Sequence, residues 1–316
     1  MNGAQEVLDS IGEPGAMATV VSAEGRVWHG AAGGVAPLTP FRCASVTKTF
    51  TAAAVLSLAE AGQVDVDGTV SAWVPAYADL LRAGGYDPDR MTVRHLLWHT
   101  SGLPDFAGDP AYLEAVLADP QHVWSREEQV TWSLQRQSSV GPPGTAFCYS
   151  DTGYVLLGAL LEQVTGDDLD TALRSVLDYE RLGLRQTWLE TFGPDVARAR
   201  QWVGDVDTTG FHPSMDLWGG GGLVTTTADL AVFFRALLDG DVVRDVDGML
   251  AVQVPNEFRM GAGIFRMPAV EGWWGHSGFW NTCAAAQRGT RAAVAVAVLQ
   301  RDAVPAPEVA QRLVSP

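Results

Sequence analysis

A serine and a lysine three residues apart, in Ser45-Val46-Thr47-Lys48, are the side chains of this 316-residue sequence best suited to covalent chemistry. Lys48 is the only lysine, and the other twenty cationic residues are all arginine. Arginine keeps its proton near neutral pH, whereas a desolvated lysine can give one up and act as a general base. A nucleophile beside a base is the minimum kit for acyl transfer through a covalent intermediate. On its own S-x-x-K is short enough to recur by chance, so its meaning depends on partners.

The surrounding sequence supplies the element that would position the pair. From Ser45 the chain is apolar nearly all round through Phe50, Ala53, Ala54, Val55, Leu56 and Leu58, and it stops at Gly62. This predicts a buried central helix with Ser45 at its N-terminus and glycine just past its end. Residues three apart then share a face, with Cβ atoms about 5–6 Å apart, so the amine reaches the hydroxyl. The helix N-terminus also favours negative charge developing on the serine oxygen. Two other segments stand out. In Pro142–Tyr154, turn residues lead to a loop carrying Tyr149, followed by an apolar helix expected over Val155–Val164 and ending at Gly166. The second is an aromatic, strand-like run, Trp273-Trp274-Gly275-His276-Ser277-Gly278-Phe279-Trp280.

Together these segments resemble the three motifs of the serine β-lactamase and penicillin-binding-protein family: S-x-x-K, Y-x-N and a Lys/His-x-Gly triplet on a strand. Phe41-Arg42-Cys43-Ala44, Leu96–Leu103 and Gly220–Thr226 followed by Asp229-Leu230 also resemble family segments, in the family's order, over roughly residues 14 to 300. The resemblance is closest to the branch with histidine in the triplet, which includes class C-like (family VIII-type) esterases, D-aminopeptidases and D,D-peptidases. It implies that Ser45 attacks an acyl carbonyl and that Lys48 and Tyr149 share the proton work, with either one as base. It further implies that the backbone N–H groups of Ser45 and Phe279 hold the oxyanion, and that His276 flanks the pocket.

The sequence departs from that pattern at informative places. Asp151 stands where asparagine is usual, and a carboxylate offers no N–H to a substrate amide. Either it pairs with Lys48 or amide recognition is weakened. The triplet begins with His276, so a permanent cation for a substrate carboxylate is missing. Phe279 and Trp280, with Trp273 and Trp274, suggest an apolar or aromatic acyl or leaving group. Asp151, Ser277, Gly278, Phe279, Trp280, Trp218 and Trp274 are accordingly the expected substrate-binding residues.

Other chemistries find no support. His95 and His99 are four apart, but no glutamate follows His95 and no third ligand is evident, so no metal is expected. Neither G-x-G-x-x-G nor a phosphate-binding loop occurs, and no cofactor is expected. A net charge of −16 argues against nucleic acid and acidic membrane surfaces. The run Ala292–Leu299 is too short to span a bilayer and reads as a buried strand. Three cysteines cannot all pair within one chain and read as small buried thiols. The N-terminal residues lack a basic and apolar leader pattern, which makes the cytoplasm the expected location.

The expected architecture is α+β, an antiparallel sheet flanked by helices with an inserted, mostly helical lobe. One catalytic domain would span residues 1–316, with an α/β lobe over about 1–60 and 215–316 and the helical lobe over about 61–214. Strands are expected at Met17–Ser22, Arg26–Gly30, Gly261–Met267, Trp273–Trp280, Cys283–Arg288 and Ala292–Gln300. Helices are expected at Gln5–Ile11, Val93–Trp98, Ala111–Leu117, Arg126–Gln135, Leu169–Leu177, Ala228–Leu238 and Pro307–Leu313. The primary functional expectation is an esterase-like serine hydrolase cleaving a small ester or amide through acyl-Ser45. The alternatives are an acyltransferase of the same fold, a β-lactamase or D,D-peptidase, and a non-catalytic binding module.

Overall fold

The structure, a computed structural model, describes residues 3–193, 196–267 and 272–315. In chain order the strands are β1 (Ala16–Val21), β2 (Val27–Ala32), β3 (Phe41–Arg42), β4 (Trp188–Leu189), β5 (Trp202–Val203), β6 (Val206–Asp207), β7 (Leu223–Thr225), β8 (Phe265–Arg266), β9 (Trp273–Gly278), β10 (Thr282–Gln287) and β11 (Ala293–Val298). The helices are α1 (Ala4–Asp9), α2 (Thr47–Glu60), α3 (Val70–Trp73), α4 (Ala78–Ala83), α5 (Val93–Leu97), α6 (Pro110–Ala118), α7 (Arg126–Arg136), α8 (Asp151–Thr165), α9 (Leu169–Val176), α10 (Tyr179–Leu182), α11 (Thr227–Asp239), α12 (Val246–Leu250) and α13 (Ala306–Val314). The fold is therefore α+β.

Among the described residues the main sheet is antiparallel, in the order β2-β1-β11-β10-β9-β8. Its central strand shows why it is sandwiched. Along β11 the sequence alternates Ala293, Ala295 and Ala297 with Val294, Val296 and Val298, all buried. Period-two alternation sends the two sets to opposite faces. The alanine face belongs to the large core shared with α2 and α11, where small side chains let helices approach closely. The valine face packs under α1 and α13.

Helix α2 lies in the large core as its all-round apolar sequence requires, and Phe50 stacks on Phe233 of α11 at a centroid distance of 3.5 Å. Its threonines are spent on glycine loops: Thr49 Oγ1 donates to the Gly263 carbonyl at 2.6 Å and Thr51 Oγ1 to the Gly219 carbonyl at 2.8 Å. Gly62 takes the left-handed conformation (φ +73) just past the helix end.

The expected and observed elements differ where local interactions outrank pattern. Helix α8 begins at Asp151, four residues before the expected start, because the Ser150 hydroxyl caps it by accepting from the Gly153 N–H. Among the described residues the strand before β9 is Phe265–Arg266 instead of Gly261–Met267; upstream of it Gly263 (φ +61) turns against the Lys48 carbonyl and Ala52 of α2.

The third-motif strand reaches the serine by the same logic. A Cβ at Gly278, the last residue of β9, would collide with the Cys43 carbonyl oxygen and crowd Ala44. Thr282 Oγ1 at the start of β10 donates to that same carbonyl at 2.9 Å. Gly278→Ala is therefore expected to push the strand off the serine turn and cost about 1–3 kcal/mol. A chemical denaturation midpoint equal to that of the wild type would contradict this contact.

Candidate active site

Ser45 lies in a 3₁₀ turn, Ala44–Val46, that runs directly into α2. Ala44 is held at φ +49, a strained conformation for a non-glycine residue, which aims the turn at the end of β9. One turn on, Lys48 is fully buried. Its ammonium donates to Ser45 Oγ at 2.9 Å, to the Gly220 carbonyl at 2.8 Å and to the Asp151 carboxylate at the start of α8. An ammonium has three donors and no acceptor, so every proton is committed. Burial pulls the Lys48 amine down, but the neighbouring Asp151 carboxylate and Tyr149 more than offset this, and the group stands above its ordinary range. Of the two readings of Asp151 drawn from the sequence, the ion pair with Lys48 is the one observed. Gly220 has to be glycine here, because a Cβ would strike Asp151 Oδ1.

The Tyr149 hydroxyl lies within reach of both Ser45 and Lys48. Burial pushes this phenol up, against the pull of the Lys48 charge, and it stays above its ordinary range. Its placement depends on His99. The His99 ring stacks on Tyr149 at 4.4 Å and on Tyr154 at 4.9 Å. The His99 carbonyl accepts from the Cys148 N–H at 2.8 Å, and its Nδ1 accepts from the Ser150 N–H at 3.0 Å. The residues on both sides of Tyr149 are thus fastened to His99. Burial holds this imidazole well below its ordinary range, hence neutral. His95, the other half of the spaced pair, is used in capping α5 with Thr92. Among the described residues no group of three His, Cys, Asp or Glu side chains is placed to hold a metal ion.

His276 is buried on β9, its ring 6.3 Å from that of Tyr149. Its Nδ1 donates to the Ser277 carbonyl at 2.6 Å, which leaves Nε2 as the unprotonated nitrogen, buried and without a partner. Burial, reinforced by the Lys48 charge, pushes His276 down to about 3.

Ser45 opens into a cleft whose walls include Tyr112, Val116, Phe211, Met215, Phe279 and Trp280. Two carboxylates, Asp151 and Asp216, lie among these apolar walls. Asp216 was not singled out from the sequence, and its signal is indirect: the glycine run beside it leaves room for carboxylates. A Cβ at Gly221 would overlap the Asp216 carboxyl. Asp216 is pushed up to about 7 by burial and by the Asp151 charge. Behind the wall, Arg42 grips Glu190 through Nε at 2.6 Å and Nη2 at 2.9 Å and donates to the Thr208 and Phe211 carbonyls, both at 2.7 Å. This braces the loop that carries the far side of the cleft.

Not every expected substrate-binding residue reaches that lining. Trp218 stacks on Arg126 and donates to the Trp124 carbonyl, and Trp274 packs against the core beside β10. Ser277 alternates onto the strand face opposite His276, beside Cys283. The three cysteines are free thiols; Cys43 and Cys283 are buried and Cys148 partly so.

A family model described as Beta-lactamase matches residues 4–314. A protein of Salmonella typhi named "Putative D-alanyl-D-alanine carboxypeptidase" is 27% identical over 228 residues, covering 64% of this chain and 51% of that protein. The chain thus spans about half the length of the curated relatives it matches. A D-stereospecific amidohydrolase from Streptomyces sp. superposes with a TM-score of 0.86 at 27% identity, covering 98% of this chain and 96% of the other. The D-amino acid amidase of Ochrobactrum anthropi, complexed with D-phenylalanine, gives 0.81 at 26% identity over 99% and 97% of the two chains.

The buried Lys48–Asp151 pair makes a direct test of the site's electrostatics. Asp151→Ala, which leaves the ammonium without its counter-ion, is expected to lose about 3–5 kcal/mol in urea unfolding. A loss below about 1 kcal/mol, as for an exposed pair, would contradict the pairing.

Proposed function

The chain belongs to the Beta-lactamase family, a family of serine hydrolases, and on that premise we propose that it hydrolyses small esters and amides of apolar acyl groups through acyl-Ser45. The observation that carries the proposal is the Ser45 hydroxyl, hydrogen-bonded to the buried ammonium of the only lysine and opening into an apolar cleft. With all three Lys48 protons engaged, no lone pair on Nζ faces Ser45. Lys48 then serves as a fixed positive charge, and the Tyr149 oxygen takes the proton from Ser45 Oγ as it attacks the acyl carbonyl. The phenolate character that Tyr149 needs for this is supported by the adjacent ammonium. The same phenol returns the proton to the leaving group; water, deprotonated in turn by Tyr149, then attacks the acyl carbon, and the Ser45 Oγ–acyl bond breaks as Tyr149 gives that proton back to Ser45 Oγ, releasing the acid.

The oxyanion would be held by the N–H groups of Ser45 and Phe279; the close fit of Gly278 against Cys43 and Ala44 supports this by bringing the residue after β9 beside the serine turn. Neutral His276 supplies no charge for a substrate carboxylate. Amide substrates are favoured by the likeness to the D-amino acid amidase and the D-stereospecific amidohydrolase.

p-Nitrophenol release from p-nitrophenyl butyrate, together with intact-protein mass, tests this reading. Ser45→Ala is expected to lose both turnover and the acyl adduct. Lys48→Arg is expected to fall at least about 100-fold, since a forked guanidinium cannot reproduce three point-like donations in a sealed site. Full activity of Ser45→Ala would refute the proposal.

The pH profile follows from the shifted groups. Tyr149 stands above its ordinary value, so the neutral phenol dominates at neutral pH and its ionised fraction rises about tenfold per pH unit up to that value. Activity on a neutral ester, corrected for spontaneous hydrolysis, should therefore climb from pH 7 into the alkaline range. His276, depressed to about 3, is neutral throughout and adds no inflection near its ordinary value. An optimum below pH 7, or an inflection there that Tyr149→Phe leaves in place, would contradict the assignment.

A further inference from the structure

We infer that Asp105 is a positioning residue for the reaction: by accepting the backbone N–H of Asp151 it fixes the carboxylate that holds the Lys48 ammonium against Ser45. The inference rests on the reading of Ser45 as the nucleophile and Lys48 as its fixed charge, and it adds a residue that acts from behind them. The first N–H groups of a helix find no partner within it. In α8 the Ser150 hydroxyl accepts from the Gly153 N–H, which leaves the N–H of Asp151, the first residue, to be met from elsewhere. Asp105 Oδ1 meets it at 3.1 Å and also accepts from the Ala107 N–H at 3.1 Å. Asp151 is thus gripped at both ends, its N–H by Asp105 and its carboxylate by Lys48.

Asp105 can serve as an anchor because its own backbone is tied down. The Pro104 carbonyl before it accepts from the Ser133 hydroxyl of α7 at 3.0 Å and from the Ser150 hydroxyl at 2.8 Å. The Asp105 carbonyl accepts from Gln137 Nε2, just past α7, at 2.8 Å. This segment therefore ties the end of α7 to the start of α8. The geometry asks Asp105 for an acceptor oxygen, and a second negative charge beside Asp151 is a cost. Burial and the Asp151 charge push the Asp105 carboxyl up to about 7. Asparagine keeps the acceptor without the charge, and alanine removes both. Without the acceptor the N–H of Asp151, a buried residue, is left unpaired and its carboxylate is free to shift from Lys48.

Two readings of the wild type, Asp105→Asn and Asp105→Ala test this: steady-state hydrolysis of p-nitrophenyl butyrate, and the carbon-13 resonance of the ε-carbon of Lys48, the only lysine. Asp105→Ala is expected to lower kcat and kcat/KM together by at least about tenfold, the mark of an interaction that acts in the transition state alone. It should also shift the Lys48 resonance at pH 7. Asp105→Asn is expected to stay within about threefold of the wild type, since its amide oxygen still accepts, and to leave the resonance in place. A merely structural role would lower the thermal midpoint of Asp105→Ala without moving kcat or the resonance, and that result would overturn the inference. So would an Asp105→Asn variant that falls as far as Asp105→Ala. If the wild type cleaves no ester while the resonance moves in Asp105→Ala and not in Asp105→Asn, the acyl-serine reading fails and the positioning stands. If the wild type cleaves the ester and Asp105→Ala matches it in both readings, the positioning fails and the acyl-serine reading stands.

Discussion

A positive charge held away from water organises this molecule. Burying an ammonium costs several kcal/mol unless its partners are close and complete, and Lys48 is fully buried. Its three protons require three acceptors from distant parts of the chain: Ser45 on the preceding turn, Asp151 at the start of α8 and Gly220 in the glycine run. Much of the surrounding architecture reads as the means of holding those acceptors still. Ser150 caps α8 so that Asp151 begins it, Thr51 of α2 ties down Gly219, and Gly220 lacks the Cβ that would displace the carboxylate. The lysine's isolation in an otherwise arginine-only composition fits this geometry, because a planar five-donor fork does not match three converging acceptors.

The same burial sets the charge state of everything nearby. His99 and His276 are neutral, Tyr149 retains its proton more firmly than a free phenol, and Asp105 is pushed up to about 7 by burial and by the Asp151 charge. The site therefore has one fixed cation and an excess of carboxyl groups, in contrast to a site built to capture an anion.

Much of this was legible in the sequence, for stated physical reasons. The Ser45–Lys48 spacing, the apolar run of α2 and the short apolar run around β11 are local signals, and each appears in the fold. Asp151 was recognised as a departure whose two meanings the sequence left open; only the position of Lys48 in space separates them. Asp216, the bracing of the cleft by Arg42 and Glu190, and the stacking of His99 beneath Tyr149 were not legible. Each depends on contacts between segments dozens of residues apart or more, with no local spacing to announce them. Trp218 and Trp274 show the opposite ambiguity. Aromatic residues near a motif are as useful to a core as to a pocket, and in the fold Trp218 stacks on Arg126 while Trp274 packs against the core.

Because Lys48 is the only lysine, lysine labelled with carbon-13 at the ε position gives one side-chain resonance, and its titration reads the central charge directly. The shift of an ammonium is expected at neutral pH and unchanged through about pH 11, beyond the midpoint of a free lysine at about 10.4. A resonance that shows a neutral amine at pH 7, or that titrates between about pH 6 and 9, would contradict it and restore Lys48 as the base.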